Sequence, residues 1–325
     1  MVDGAGLACL QWGMPLFLSE SDVTTLLSMP EAMHAIEEAF QDEALNEPRR
    51  RFFLPNGVFH HMAAALPTRG VVGTKTYTSF AGGTRFYIQL FSSETGELLA
   101  YLEADRLGQI RTGAATGVAA KFMARPEVER VSLFGTGGQA QTQAEAFLAA
   151  RPGVREFQVF SRNAAKREAF CRDRTTQFGV PFIPMESAEA AAQNTDALLC
   201  ATTAREPFLK AEWLSPGAFV AAVGANRLTA QEIESDVLAR AALVVVDDKE
   251  QAQAESAELR FAVERRQFSW ARLETLNDVV RGRVAGHSET EAITVFKSLG
   301  VAVEDIAVAA LVYEKAKAQG VGREL

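Results

Sequence analysis

The ten residues Val131-Ser132-Leu133-Phe134-Gly135-Thr136-Gly137-Gly138-Gln139-Ala140 constrain the fold of this chain more than any other stretch. An apolar run enters closely spaced glycines and then leaves into a helical pattern, the order of a strand, a tight turn and a helix N-terminus. Free backbone amides at a helix start bind a pyrophosphate only where no side chain blocks its approach. In that reading Gly135 makes the turn, Gly137 lets the phosphate close in, and Ala140 permits tight packing of helix on strand, with Thr136, Gly138 and Gln139 completing the loop. Alone the signal is weak, because ordinary glycine-rich turns share it.

The surroundings strengthen it. Helical spacing follows from Gln139 to Ala150, a strand from Glu156 to Phe160, and a helix from the capping residue Asn163 to about Gln177. Short apolar runs recur at Ala197 to Ala201, Phe219 to Val223 and Leu243 to Val246, as buried parallel strands do. The region therefore reads as a Rossmann-type α/β domain that binds NAD(P).

The first 125 residues have a different rhythm. A helix start is marked at Ser19-Glu20-Ser21-Asp22, and Glu31 to Ala44 has helical periodicity. Strand-like runs follow at Val71 to Ser79, Arg85 to Phe91 and Leu98 to Leu102, separated by turns at Gly82-Gly83 and Glu94-Thr95-Gly96-Glu97. This is an α+β region, joined to the next by an Ala- and Gly-rich helix from Ala104 to Arg125. Beyond Ala285 a strand at Ala292 to Lys297 and an amphipathic helix from Val303 to Gln319 are expected to return to it. The expected division is residues 1–125 with 290–325, and 126–289.

A net charge of -8 over 325 residues argues against a nucleic-acid surface. Cys9, Cys171 and Cys200 are few and widely spaced, and the four histidines have no zinc spacing, so reduced thiols and no metal are expected. The apolar stretch from about Leu7 to Leu18 lacks a basic region ahead of it and is too short to span a membrane. A cytoplasmic protein without membrane contact is the expectation.

Several residues suit an oxidoreductase site. Arg111, among the small residues of Gln109-Ile110-Arg111-Thr112-Gly113-Ala114-Ala115, can grip a carboxylate through two parallel hydrogen bonds. Lys75 lies in a β-branched and aromatic strand and either meets solvent or enters a site as a cation or proton donor. Phe160 is followed by Ser161-Arg162-Asn163 rather than by the acidic residue that binds the ribose of NAD; Arg162 suits a 2′-phosphate, which favours NADP(H) over NAD(H). Thr202-Thr203 and Val223-Gly224-Ala225-Asn226 follow strand ends, where ligands of such sheets sit. Asn226 is thus a candidate for the reacting centre.

Taken in order, these pieces resemble the ornithine cyclodeaminase and μ-crystallin family of NAD(P)-dependent enzymes. The resemblance runs from about Leu16 over nearly the whole chain. It rests on Gly73-Thr74-Lys75, Arg111-Thr112-Gly113-Ala114-Ala115, the Gly135 turn, Ala201-Thr202, Val223-Gly224-Ala225, Val246-Asp247 and Phe296-Lys297-Ser298-Leu299-Gly300. It implies a homodimer whose substrate-binding and dimerisation domain is built from both chain ends, acting at the carbon–nitrogen bond of an imino or amino acid. By resemblance, Lys75 and Arg111 hold the substrate carboxylate, Arg49 or Arg50 adds a contact, and Gln139, Thr202 and Ser298 touch the cofactor.

The departures bear on the reaction. Asn226 stands where cyclodeaminases carry an aspartate, Ala230 where they carry a lysine, and Phe59-His60-His61-Met62-Ala63 where they carry a glutamate. An amide cannot take a proton from an amine as a carboxylate does. The expectation is therefore an NAD(P)H-dependent reductase of an α-imino acid, of ketimine reductase or amino-acid dehydrogenase type. The alternatives are an ornithine cyclodeaminase and a non-catalytic NADPH-binding protein; no role is assigned to His60 or His61.

Overall fold

Two hydrogen-bonded sheets organise the backbone, in a computed structural model that describes residues 14–287 and 290–325. Cys9 and most of the N-terminal apolar stretch lie outside the described residues. The first sheet contains β1 (Leu16–Leu18), β2 (Leu45–Leu54), β3 (Gly57–Leu66), β4 (Val71–Phe80), β5 (Gly83–Ser92) and β6 (Leu98–Glu103). The second contains β7 (Arg130–Phe134), β8 (Glu156–Phe160), β9 (Phe182–Pro184), β10 (Ala197–Cys200), β11 (Phe219–Ala222), β12 (Leu243–Val246), β13 (Leu273–Thr275) and β14 (Thr294–Lys297). The last strand, β15 (Arg323–Glu324), returns to pair with β1 in the first sheet.

The helices are α1 (Glu20–Leu26), α2 (Met29–Gln41), α3 (Asp105–Met123), α4 (Gly138–Ala150), α5 (Ala164–Phe178), α6 (Ala188–Ala192), α7 (Ser235–Arg240), α8 (Lys249–Glu255), α9 (Ala257–Glu264), α10 (Leu276–Val280) and α11 (Ala302–Gln319). Their starts follow local chemistry. Ser19 and Asp22 form a capping box at α1, and Asn163 accepts from the Lys166 amide at α5. Gly320 ends α11 at φ 64°, where a side chain would be strained.

The first sheet runs β15-β1-β6-β5-β4-β3-β2, an antiparallel meander from β2 to β6 with β1 parallel to β6. The second runs β13-β12-β14-β11-β10-β7-β8-β9 with every pair parallel. The fold is α/β with a Rossmann-type sheet, as expected. The hairpin β2–β3 went unread in the sequence because Pro48 and a triple arginine interrupt the strand pattern. Structurally Pro48 sits at a register shift between Glu47 and Arg50 on an edge strand, the place where a missing N–H is tolerated.

Two expectations about the tail change. The strand β14 does not return with the tail to the first sheet: it lies between β11 and β12, parallel to both. Its Thr-Val-Phe-Lys run is buried throughout, and a strand buried on both faces needs hydrogen-bonded neighbours on both sides. The chain therefore leaves the parallel sheet after Lys297 rather than at residue 290. The helix α11 is not amphipathic over its first turns either. Every residue from Val301 to Ala310 is buried, because the helix packs on β2 to β5 on one side and on α2 and α3 on the other.

The helix α3 joins the two sheets and packs closely on α4. A Cβ on Gly113 would run into the backbone carbonyl of Thr142, and Gln143 Nε2 donates to the Thr112 carbonyl at 3.2 Å. The small residues around Arg111 thus admit a neighbouring helix. Gly113→Ala is expected to destabilise the fold by about 1–3 kcal/mol through overpacking, measured by denaturant unfolding; unchanged stability would show that the helices can separate at no cost.

Candidate active site

One face of the first sheet collects cations. Met62 pairs with Lys75 and His60 with Tyr77 across β3 and β4, and Ile88 and Phe86 oppose Lys75 and Tyr77 from β5. Side chains two residues apart share a face, so His60, Lys75, Tyr77 and Phe86 look the same way. Strand β2 adds Arg49 and Arg51 on that face, while Arg50 points to the other, its side chain 75% exposed and 3.9 Å from Glu47. Arg50, an expected substrate contact, is therefore not brought to the site; the alternation of the strand puts Arg51 there instead.

The helix α3 adds a further cation, Arg111, and α11 supplies two acids, Glu304 and Asp305. Lys75 Nζ donates to Asp305 Oδ1 at 2.7 Å, and Arg111 Nε donates to the same oxygen at 3.0 Å. Arg111 Nη1 also donates to Glu304 Oε2 at 2.6 Å. Both carboxylates are fully buried. Charged groups leave water only when paired, and each carboxylate here keeps one buried oxygen, Glu304 Oε1 and Asp305 Oδ2, with no hydrogen-bond partner among the described residues.

The environment tunes these groups in opposite directions. Burial pushes Lys75 down to about 8, with Asp305 opposing and Arg111 adding to the fall. Burial also works against the charge on Arg111, but Asp305 and Glu304 outweigh it and hold the guanidinium above its ordinary value. Glu304 is lifted to about 8 by burial against the pull of Arg111. His60, stacked on Tyr77 with ring centres 3.9 Å apart, is pushed down to about 4 by burial, Arg51 and Arg49. It is a neutral imidazole at neutral pH.

The turn after β14 meets this cluster from the second sheet. Asp247 Oδ2 accepts from the Leu299 and Gly300 amides at 2.8 and 2.7 Å and from Ser298 Oγ at 3.3 Å. The Leu299 and Gly300 carbonyls accept from Arg49 Nη2 at 2.9 and 2.8 Å. Gly300 has φ 74°, and a Cβ there would stand 2.6 Å from Arg111 Nη1. Ser298, expected to touch a cofactor, is buried beside Asp247 in this turn.

The helix α3 also touches the glycine turn, since a Cβ on Gly138 would stand 3.3 Å from Gln109 Oε1. Gly135 has φ 105°, and a side chain there would strike the Ala201 carbonyl. At Gly137 the space is open: a Cβ would meet nothing within 4 Å. The first intrahelical bond of α4 runs from the Gln141 amide to the Gly137 carbonyl, so the amides of Gly138, Gln139 and Ala140 precede the ladder. Thr136 Oγ1 lies 3.4 Å from Ser161 Oγ at the end of β8, followed by exposed Arg162 and Asn163. A cradle closed to side chains at Gly135 and open above Gly137 fits a dinucleotide pyrophosphate.

The next strand ends are clamped from below. Glu232 Oε1 accepts from the Thr202 amide and hydroxyl at 2.7 and 2.8 Å, and its Oε2 from the Gly224 amide at 2.7 Å. This holds the ends of β10 and β11 together, with Thr203 exposed and Val223 and Asn226 half-buried. The Asn226 backbone carbonyl accepts from Arg51 Nη2 at 3.1 Å.

The sequence did not single out Glu304, Asp305, Glu255 or Glu232 as site residues. The only signal for the first two was a pair of acids inside an apolar helical run, which reads as an exposed face until the helix is known to be buried all round. Glu232 and Glu255 lie in segments whose pattern carried no chemistry.

A model of the "Ornithine cyclodeaminase/mu-crystallin family" matches residues 14–320. Alanine dehydrogenase of Archaeoglobus fulgidus is 34% identical over 324 residues, covering 95% of this chain and 98% of that protein. The structure of Thermococcus litoralis Delta(1)-pyrroline-2-carboxylate reductase in complex with NADH and L-proline superposes with a TM-score of 0.91 at 30% identity, covering 95% of this chain and all of that one. An archaeal alanine dehydrogenase dimer with bound NAD superposes with a TM-score of 0.90 at 32% identity, covering 96% and 99%.

The raised Glu304 value fixes a sign for stability. The folded carboxyl keeps its proton up to about pH 8, whereas the unfolded one releases it near 4.5, so the stability linked to this group is full below 4.5 and is lost as pH rises through 8. Denaturant unfolding of the native protein and Glu304→Gln between pH 5 and 8 is expected to show the native advantage shrinking with pH. A constant difference would contradict the buried, protonated carboxyl.

Proposed function

Because the chain belongs to the ornithine cyclodeaminase/mu-crystallin family, we propose that it is an NAD(P)H-dependent oxidoreductase that reduces the C=N bond of an α-imino acid. The observation that carries this reading is the pair Lys75 and Arg111, two buried cations converging on Asp305, with Arg111 on the helix that packs against α4, the helix the glycine turn opens into. Related proteins named alanine dehydrogenase and pyrroline-2-carboxylate reductase support the same chemistry.

In this mechanism the imino acid's carboxylate lies against Arg111 and Lys75, with Arg49 fixed behind them by protein acceptors. A guanidinium gives planar, directional hydrogen bonds, so Arg111 orients the imine plane as well as attracting charge. A nicotinamide dinucleotide held at the turn from Gly135 to Ala140 would supply hydride for the imine carbon. An iminium accepts hydride more readily than a neutral imine, so a proton is needed at nitrogen. Lys75, buried and with its value brought to about 8, is suited to hold that proton near neutrality; a water held by the Asn226 side chain is the other source.

We further assign NADP(H) as the preferred cofactor, since Ser161-Arg162-Asn163 ends β8 without a carboxylate and leaves Arg162 exposed at that edge. The first sheet, the chain ends and α11 would form the substrate half, and the parallel sheet the cofactor half. A homodimer is proposed from the dimeric alanine dehydrogenase relative and from exposed Phe52, Phe53 and Leu54 at the tip of the β2–β3 hairpin, an apolar patch suited to a second copy. No helix among the described residues is long and apolar enough to cross a membrane. Cys171 and Cys200 are buried free thiols, which agrees with a cytoplasmic setting.

A panel of cyclic imino acids, and of keto acids with amines, is the direct test, read by NADPH or NADH oxidation. Turnover of at least one imine supports the reading; tight NADPH binding without oxidation across the panel would favour a binding protein, and ammonia release from ornithine with catalytic NAD+ would favour a cyclodeaminase. Arg162→Ala is expected to lower kcat/KM for NADPH about 10- to 100-fold, the worth of a charge-assisted contact, with NADH little changed. Equal losses with both cofactors would remove Arg162 from the 2′-phosphate.

A further inference from the structure

Arg51 and Glu255 form a connection between the two sheets that the roles above do not use. Glu255 ends α8, with 3% of its side chain exposed. Its Oε2 accepts from Arg49 Nη1 at 2.7 Å and its Oε1 from Arg51 Nη1 at 2.5 Å. One turn earlier, Gln251 Nε2 donates to the Gly300 carbonyl at 2.9 Å and Gln251 Oε1 accepts from the Arg49 amide at 3.4 Å. From the same carboxylate the contacts diverge. Arg49 continues to Leu299 and Gly300, whose turn packs on Arg111, and Arg51 continues to the carbonyl of Asn226.

Two guanidinia on one buried carboxylate leave a surplus positive charge, and burying such a group is costly. An apolar contact would fasten two sheets at least as well. The arrangement gains instead in direction: one carboxylate sets the angle of two cations on the sheet face that carries His60 and Lys75. Arg51 retains 21% of its side-chain exposure whereas Arg49 retains 2%. Arg51 pairs in register with His60, and both it and Arg49 act on the His60 and Tyr77 rings. Arg51 is thus the cation at the rim of the aromatic wall, and Arg49 the cation sealed behind it.

We propose that Glu255 is a positioning residue, which holds Arg51 toward the substrate, braces Arg49 behind it against the Leu299–Gly300 turn and, through Arg51, fixes the loop that carries Asn226. The proposal rests on the reading of the site as one for an imino acid carboxylate. Its consequence is selective: disturbing Glu255 weakens the grip on the imino acid while leaving the glycine turn and its dinucleotide unaffected, because none of its hydrogen bonds reaches Gly135 to Ala140.

The test combines Glu255→Gln, Arg51→Met and the double variant. Three quantities are measured on each: the imino-acid KM, the NADPH KM, and the Kd of pyrrole-2-carboxylate, an unreactive planar carboxylate, by calorimetry in the presence of NADPH. Either single change is expected to raise the imino-acid KM and the carboxylate Kd about tenfold, with the NADPH KM held, and the double variant to be no worse than the worse single. Unchanged carboxylate binding, equal shifts for both ligands, or additive losses would overturn it. Should Glu255→Gln fail to fold, Arg51→Met alone decides: unaltered carboxylate affinity in the folded variant overturns the proposal. Absence of imine turnover in the native enzyme would count against the reductase reading instead, and the calorimetric arm would still report on Glu255.

Discussion

Gly300 is the residue on which the rest of the site depends. Its left-handed φ of 74° is open to glycine at little cost, and its α-carbon lies so close to the Arg111 guanidinium that a methyl group would stand 2.6 Å from Nη1. Its amide is tied to Asp247 and its carbonyl receives Arg49 and Gln251. One small residue therefore lets two guanidinia, from an edge strand and from the connecting helix, meet the end of a strand in the parallel sheet. A side chain there would push against the Arg111 guanidinium that Asp305 and Glu304 hold next to the turn.

Around that point the molecule accepts a costly arrangement. Lys75, Arg111, Glu304 and Asp305 are withdrawn from water together, and α11, which brings the two acids, is apolar in most of its other buried positions. Pairing makes the burial tolerable; it does not make it favourable compared with a hydrophobic core. The return is electrostatic. In the proposed reaction, a lysine brought toward neutrality and a carboxyl kept protonated near it would hold an anion and exchange a proton with little rearrangement of the site's own dipoles.

The second sheet follows a different rule. There the proposed cofactor contacts are mainly backbone atoms at strand ends, held by side chains beneath them: Glu232 under Thr202 and Gly224, Asp247 under Leu299 and Gly300. A buried carboxylate accepting several N–H groups fixes a loop without occupying the space above it. In the proposed division of labour the cofactor half is a set of loops fixed from beneath, and the substrate half a sheet face lined by charged and aromatic side chains.

Periodicity and turn chemistry determined much of this protein without a structure. The strand–glycine–helix order around Gly135 needs only local φ requirements and short apolar runs, both written in adjacent residues, and the parallel sheet and its helices follow from it; Arg111 and Lys75 came from side-chain chemistry in their own segments and from the family resemblance. Partnership across the chain was a different matter. Asp305 meets Lys75 across 230 positions and Glu255 meets Arg51 across 204, and no local pattern encodes such a distance. The sequence likewise could not choose Arg51 over Arg50, since Pro48 and the shifted register set which arginines face inward. It could not place β14 either, because a buried apolar run suits any sheet with two free edges. Those decisions belong to packing: which helix is buried on all sides, which face a strand turns inward, and which loops the two sheets bring within hydrogen-bonding distance.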